Sequence, residues 1–311
     1  MAGQFKTFDT NAINEKWHKT MSTVAREQYP IQTLCPSDDA KADQVFYFTD
    51  SLADPNAANA RVQGAAFPAA NLSAPEKRSN HTQIFSKTAE VSGTLRASEV
   101  LGSSDEFIRQ FDKISREVKR DVEAALIGGQ GSVESTATVA GQLAGIEATI
   151  KANAFHAADG DTPGYTNPTY GDVVVGTPRD LTENMLNVAM HKAWQGGATP
   201  DTVFAGGDLM LKIATFSGNS QKYQDASKKK IFNVVTTYVT PFGTVDILPH
   251  YLASTSVVLG IDPSKYVVSY LRKWEKTDLP KDQDSDRKAI LAELTLKALD
   301  ERSSFKIADV K

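Results

Sequence analysis

Between Leu52 and Ile84 the chain carries only three large apolar residues, Val62, Phe67 and Leu72, within the run TDSLADPNAANARVQGAAFPAANLSAPEKRSNHTQIF of residues 49–85. Ala, Asn, Pro and Gly supply much of the remainder. Ordering a backbone costs about 1–2 kcal/mol per residue, and such a segment has little apolar surface of its own with which to offset that cost. It is therefore either disordered or ordered by something else. On either side lie candidate strands, QVFYFTDS before it and HTQIFSKTAEVSGTLR after it. The two read as arms of a long hairpin. An extended arm of about 15 residues reaches roughly 50 Å, whereas a compact globule of this length has a radius of gyration of about 20 Å. The hairpin must project beyond its own domain. An unattached two-stranded hairpin is marginal in water, so an ordered one is expected to lie on another molecule.

The rest of the chain can build a substantial core. With 311 residues, 41% of them hydrophobic and 23% charged, it forms one large domain or two small ones and buries about 75% of its unfolded surface. A net charge of −4 gives no basic face for nucleic acid or membrane. No run of 18 apolar residues occurs, and MAGQFKTFDT lacks the basic–apolar–small order of a secretory signal. Synthesis and folding in a cytosol are expected. Cys35, the only cysteine, excludes an intrachain disulfide and a thiolate cluster and reads as a buried, unreactive thiol.

Along the chain, residues 9–27 place Ile13, Trp17, Met21 and Val24 at helical spacing behind Asp9, and Tyr29-Pro30 ends the pattern. The strongest helix is SSDEFIRQFDKISREVKRDVEAALIGG. Ser103 and Glu106 have capping-box spacing, and Phe107, Phe111, Ile114, Val118, Val122 and Ala125 form one apolar stripe. Gly128-Gly129 closes it, giving a beam of about 37 Å. AGQLAGIEATIKA reads as a short helix and 159–178 as loop. Residues 180–255 read as a self-contained α+β unit: a helix from Thr182 to Gly196, the strand DTVFAGG, the helix GDLMLKIATFSG, and two strands around Phe242-Gly243. SVVLGIDPSKYVVSYLRKW gives two strands joined at Asp262-Pro263. Residues 288–300 are ambiguous from the residues alone: Ala, Leu, Glu and Lys favour helix, while the alternation of Ile290, Ala292, Leu294, Leu296 and Ala298 with their neighbours favours strand.

Few residues are arranged for chemistry. HAADGD offers His156, Asp159 and Asp161 to a metal, but the spacing fits no metal motif and the composition is that of a solvated turn. GGQGS closes a helix and lacks the lysine of a phosphate loop. Lys228-Lys229-Lys230 reads as a solvated loop. The expectation is no catalytic residue, no metal and no cofactor.

The order of parts resembles the major capsid proteins of tailed bacteriophages with the Hong Kong 97 fold. The resemblance rests on TDSLA (49–53), Gly64, NHTQI (80–84), VSGT (91–94), REVKRDVEAALIG (116–128), LAGIEA (143–148), LTENML (181–186), GGATPDTV (196–203), KYQDA (222–226), FGTVDILP (242–249), LGIDPSKYVVSYLR (259–272) and IADV (307–310). It implies an α+β fold with an N-terminal arm at 1–43, an extended β-hairpin loop at 44–95, and a peripheral domain at 96–179 whose spine helix is 103–127. An axial domain at 180–255 and a return to the peripheral domain at 256–311 complete it, and the return makes 288–300 a strand. The implied function is a non-enzymatic head protein assembling into pentamers and hexamers of an icosahedral shell around double-stranded DNA. Its expected place is the virion, after synthesis in the host cytoplasm. The implied partners are other copies of itself and scaffolding, portal and decoration proteins, with no membrane. Candidate interface residues are Trp17, Asp50, Leu52, Arg61, Phe67, Arg78, Arg116 and Arg120. Because the chain enters the arm almost at once, its scaffold is expected to be a separate protein, and nothing identifies a cross-linking lysine and asparagine. Two other readings are an encapsulin-like compartment and a small hydrolase using the His156 loop.

Overall fold

The computed structural model describes residues 29–50, 52–53, 55–67, 72, 74–98, 105–216, 237–281 and 283–311. The helix expected at 9–27 with Trp17, the capping residue Ser103, the KYQDA motif and Lys228–Lys230 lie outside the described residues. The chain begins with α1 (Pro30–Leu34), β1 (Ser37–Asp39), β2 (Gln44–Thr49), β3 (Glu76–His81), β4 (Gln83–Ser92), α2 (Gly93–Ala97), α3 (Glu106–Ile127) and α4 (Ile146–Thr149). Three short strands follow, β5 (Ala154–Phe155), β6 (Tyr165–Thr166) and β7 (Thr169–Tyr170). Next come α5 (Glu183–Gln195), β8 (Thr202–Ala205), α6 (Gly207–Ile213), β9 (Thr237–Thr240), β10 (Gly243–Pro249) and β11 (Val258–Ile261), then β12 (Tyr266–Asp278), β13 (Ser285–Ala298) and β14 (Phe305–Ile307). The fold class is α+β, as expected. The residues gather into two compact units, one of 29–85, 119–275 and 291–311, the other containing 86–118 and 276–290.

The first unit is organised on a six-stranded sheet of order β5-β14-β11-β8-β10-β9. Helices α5 and α6 supply Leu186, Ala189, Met190, Leu209 and Ile213 to a core shared with Val203, Val245, Ile247, Val258, Phe305 and Ile307 of the sheet. In α5 the buried positions Leu186, Ala189, Met190 and Ala193 repeat with helical period. Each fully buried large aliphatic side chain contributes about 1.5–3 kcal/mol. The Thr182 side chain caps this helix by accepting from Met185 N. Residues 180–255 are not self-contained, however: β5, β11 and β14 come from outside that range. Gly260 shows why β14 fits there. It pairs with Phe305 in register, and a Cβ at Gly260 would stand 2.1 Å from the Phe305 ring.

Asp105 caps α3, its Oδ1 accepting from Phe107 N at 2.9 Å, while the Glu106 carboxylate accepts from Arg109 and Gln110. The expected stripe is deepest near the helix end, where Val118 and Val122 are buried with Leu126. Beside Val122, Glu123 is completely buried. Its carboxylate accepts from Ile31 N at 2.7 Å, Gln32 N at 3.2 Å and Gln32 Nε2 at 3.0 Å, and lies 3.0 Å from His250 Nε2. One side chain thus ties α1 and the segment after β10 to α3. Cys35, which follows α1, is buried as expected, and burial, reinforced by the Glu123 charge, pushes its thiol up to about 12.

Of residues 288–300, those up to Ala298 fall within strand β13, in the four-stranded sheet β1-β12-β13-β4. Ile290, Ala292, Leu294, Leu296 and Ala298 are all at most 3% exposed, so the alternation outweighs helix propensity. In the second unit, ion pairs are dense: Asp286 with Arg96 and Lys281, Glu90 with Arg287, Asp278 with Lys288, and Glu117 with Lys87 and Lys113. Exposed pairs of this kind contribute at most about 1 kcal/mol each.

The hairpin differs from the expectation. Its second arm is β3, which pairs with β2 antiparallel from Gln44↔His81 to Thr49↔Glu76. The HTQIFSKT stretch is not one arm: after Thr82 the chain becomes β4, whose neighbour in the sheet is β13. The paired arms are therefore six residues long, not about 15, and the rest of the projecting segment is the connection between them.

Candidate assembly surface

The hairpin is fixed at its base by polar chemistry. Asn80 is fully buried; its Nδ2 donates to Leu296 O at 2.8 Å and Ala144 O at 3.2 Å, and its Oδ1 accepts from Ala144 N at 2.9 Å. Arg78 Nη2 lies 3.0 Å from both Glu76 and Glu301. Burial alone would lower its pKa, and the hydrogen bonds to these carboxylates more than reverse that. The Tyr47 and Tyr170 hydroxyls meet at 2.5 Å, both buried. Buried Arg78, Ser79 and Asn80 are tolerated in this strand because each finds such partners.

Beyond Thr49 and Glu76 this anchoring stops. Leu52 is 98% exposed, Val62 82%, Phe67 100% and Leu72 90%. Among the described residues, nothing in the chain covers them. The tip does contain a turn, with Ala65 N donating to Val62 O at 3.0 Å and Gly64 at φ 83°, a geometry that favours glycine. The outer face of β2 continues the apolar surface with Phe46 and Phe48, 48% and 63% exposed. Lys77 Nζ sits 3.8 Å from the Phe46 ring centre.

The structure places the sequence-derived interface candidates unequally. Leu52, Arg61 and Phe67 are each exposed in the connection between β2 and β3, and Asp50 is exposed at its start. Arg78 is 9% exposed and paired inside the subunit. Arg116 meets Asp112 at 2.5 Å on the surface of α3. Arg120 is half-buried, with its guanidinium 5.7 Å from the Tyr251 ring. Trp17 lies outside the described residues.

The HAADGD loop has a different occupation from the one a metal would need. His156 Nε2 is 2.7 Å from Thr162 Oγ1, and Asp159 accepts from Thr177 N and Oγ1 at 2.8 and 2.6 Å. No group of three or more His, Cys, Asp or Glu that could hold a metal occurs among the described residues. Instead the loop packs beside Lys306, a fully buried lysine absent from the sequence reading. Its Nζ donates to Glu147 O at 3.0 Å and to Thr162 Oγ1. Burial pulls Lys306 down to about 8 and pushes Glu147 up. Burial, together with the Lys306 charge, also lowers the pKa of His156. Asp309, at φ 58°, accepts from Ala157 N at 3.0 Å and Gly176 N at 2.7 Å. The cluster thereby ties the C-terminal residues to the 147–176 segment.

An exposed apolar tip on a polar, anchored stem is the surface of a chain that associates with others. The family described as SU10 major capsid protein matches residues 3–311. The chain belongs to that family. The major capsid protein of Escherichia phage Phieco32 is 23% identical over 328 residues, covering 94% of this chain and 93% of its own. Among solved structures, the Cyanophage A-1(L) capsid asymmetric unit aligns with a TM-score of 0.69 at 10% identity, covering 98% of both chains. The capsid of the native GTA particle aligns at 0.65 with 11% identity, again over 98% of both. These likenesses establish a shared overall α+β fold. This major capsid protein is thus a structural subunit of an icosahedral shell, as the resemblance implied. The compartment and hydrolase readings receive no support from the comparisons.

Proposed function

We propose that this major capsid protein builds its shell from pentamers and hexamers in which the hairpin tip of each copy lies over its neighbour, and that the shell encloses double-stranded DNA. The observation that carries the reading is the exposure of Leu52, Val62, Phe67 and Leu72 beside a stem anchored by Asn80 and Arg78. In this reading 1–43 is the arm, 44–95 the extended loop, and 103–127 the spine helix of a peripheral domain at 96–179. Residues 180–255 form the axial domain and 256–311 return to the peripheral domain. Assembly would take place in the host cytoplasm, with scaffolding, portal and decoration proteins as partners. The net charge of −4 suits a wall along which packaged DNA must move, since each basic contact would hold a phosphate.

Hydroxyl-radical footprinting of shells against dissociated subunits tests the covering of the tip. Oxidation of Phe67 and Leu72 is expected to fall several-fold on assembly, while solvent-facing Lys273 stays unchanged. Equal oxidation of Phe67 and Leu72 in both states would remove the proposed role of the loop.

A further inference from the structure

We infer that the tip of one copy docks in a cleft at the base of the next copy's hairpin, with Arg61 paired to Asp43 of that copy. The inference rests on the reading that the loop covers a neighbour, and names where it lands. Asp43 immediately precedes β2, and its carbonyl accepts from Thr82 N at 2.8 Å where β3 ends. Here a cleft of about 390 Å³ is lined by Asp43, Thr82, Ile84, Thr136, Val139 and Glu293, among others. Ile84 and Val139 are 55% and 46% exposed, giving the cleft two aliphatic walls.

The charges decide the occupant. Glu293 is already engaged, accepting from Thr82 Oγ1 at 2.8 Å and Arg272 Nε at 2.7 Å. The Asp43 carboxylate accepts from the adjacent Gln44 N at 2.9 Å and, among the described residues, pairs with no cation. Arg61 is the one basic residue of segment 50–75, is exposed, and among the described residues pairs with no carboxylate. Val62 beside it offers an apolar side chain, 82% exposed, to Ile84 and Val139. The tip thus carries a cation and an aliphatic group in sequence, and the cleft presents an anion and aliphatic walls.

Within one copy Arg61 is exposed and makes no ion pair with Asp43 among the described residues, so the match is one between copies. The cleft lies at the Gln44↔His81 end of the β2–β3 ladder and the tip beyond the Thr49↔Glu76 end, about 20 Å away by strand geometry alone. A surface at one end of a subunit that fits a surface at the other is heterologous, and repeated head to tail with a closing rotation it gives rings. This geometry supplies five-fold and six-fold capsomers without a separate contact for each.

Charge reversal in the full-length chain provides the test. Arg61→Asp and Asp43→Arg each replace attraction by repulsion at every tip contact in a ring. Each alone is expected to raise the concentration at which shells appear at least about tenfold, a change of about 1.4 kcal/mol per mole of contacts. The double variant is expected to restore assembly, because it again offers opposite charges across every contact. Circular dichroism and thermal unfolding of the isolated subunits check that both exposed substitutions leave the fold intact. Single variants that assemble like the unaltered chain, or a double variant no better than either single one, overturn the Arg61–Asp43 pairing while leaving the covering loop in place. Failure of the unaltered chain to assemble with the scaffolding protein supplied overturns the underlying reading and the pairing with it.

Discussion

Replacing residues 55–72 with a short Gly-Ser link leaves a folded subunit and abolishes closed shells. The fold survives because the excised residues bury little against their own chain: Val62, Phe67 and Leu72 are 82–100% exposed. The stem contacts of Asn80, Arg78 and Tyr47 all lie outside the cut. Thermal unfolding of the isolated subunit should therefore shift by no more than a few degrees, the size of a 1 kcal/mol change in a chain of this class. Assembly is lost because the same side chains would otherwise be covered. A buried Val, Leu or Phe contributes about 1.5–3 kcal/mol, and the loss recurs at every contact of a multivalent shell. Size-exclusion chromatography with light scattering reads both outcomes. An unfolded product places the loop in the subunit's own core; normal shells make the loop dispensable.

Glu123→Ala destabilises the subunit by about 3–5 kcal/mol, the cost of removing one partner from a buried, hydrogen-bonded charged group. The carboxylate is 0% exposed and accepts from two backbone amides and a side-chain amide of α1, with the fully buried His250 at 3.0 Å. Its removal leaves the buried Ile31 amide without an acceptor, while Gln32 Nε2 keeps Lys119 O. Urea unfolding of the isolated subunit measures the difference. Glu123→Gln, which keeps one acceptor oxygen, should lose clearly less than Glu123→Ala. A loss below 1 kcal/mol for the alanine variant would contradict the role of Glu123 as the tie between α1 and α3.

Much of the fold is readable from local pattern. The stripe of α3, the cap and period of α5, and the strands on either side of Phe242 follow from the periodicity of apolar side chains and from the residues that end them. Pattern is weaker on pairing. HTQIFSKT alternates well enough to be one strand, yet His81 faces Gln44 while the residues after Thr82 join a different sheet. No local signal distinguishes them, because a strand's period is the same whichever partner it takes. The same limit separates 180–255 from β11, β14 and β5, which reach the sheet from distant parts of the chain.

The candidate surface divides in a similar way. Its tip was legible as a shortage of large apolar residues around Val62, Phe67 and Leu72, because exposure is a property of composition. The buried charges were not. Glu123 and Lys306 look like ordinary solvated residues in sequence; their partners His250, Ile31 and Glu147 lie 127, 92 and 159 positions away. Arg78 is among the expected interface residues, and in the structure its guanidinium pairs with Glu301 of its own subunit. Asp43 gave no signal at all, since its setting is made by Thr82, Ile84 and the 135–141 segment.

Negative-stain electron microscopy of the purified full-length chain, taken across a concentration series with and without a crowding agent, tests the central claim most directly. Closed shells, or rings of five and six subunits, are the predicted result. Particles that remain single subunits at every concentration, under crowding and with the scaffolding protein supplied, would contradict self-assembly through the hairpin tip.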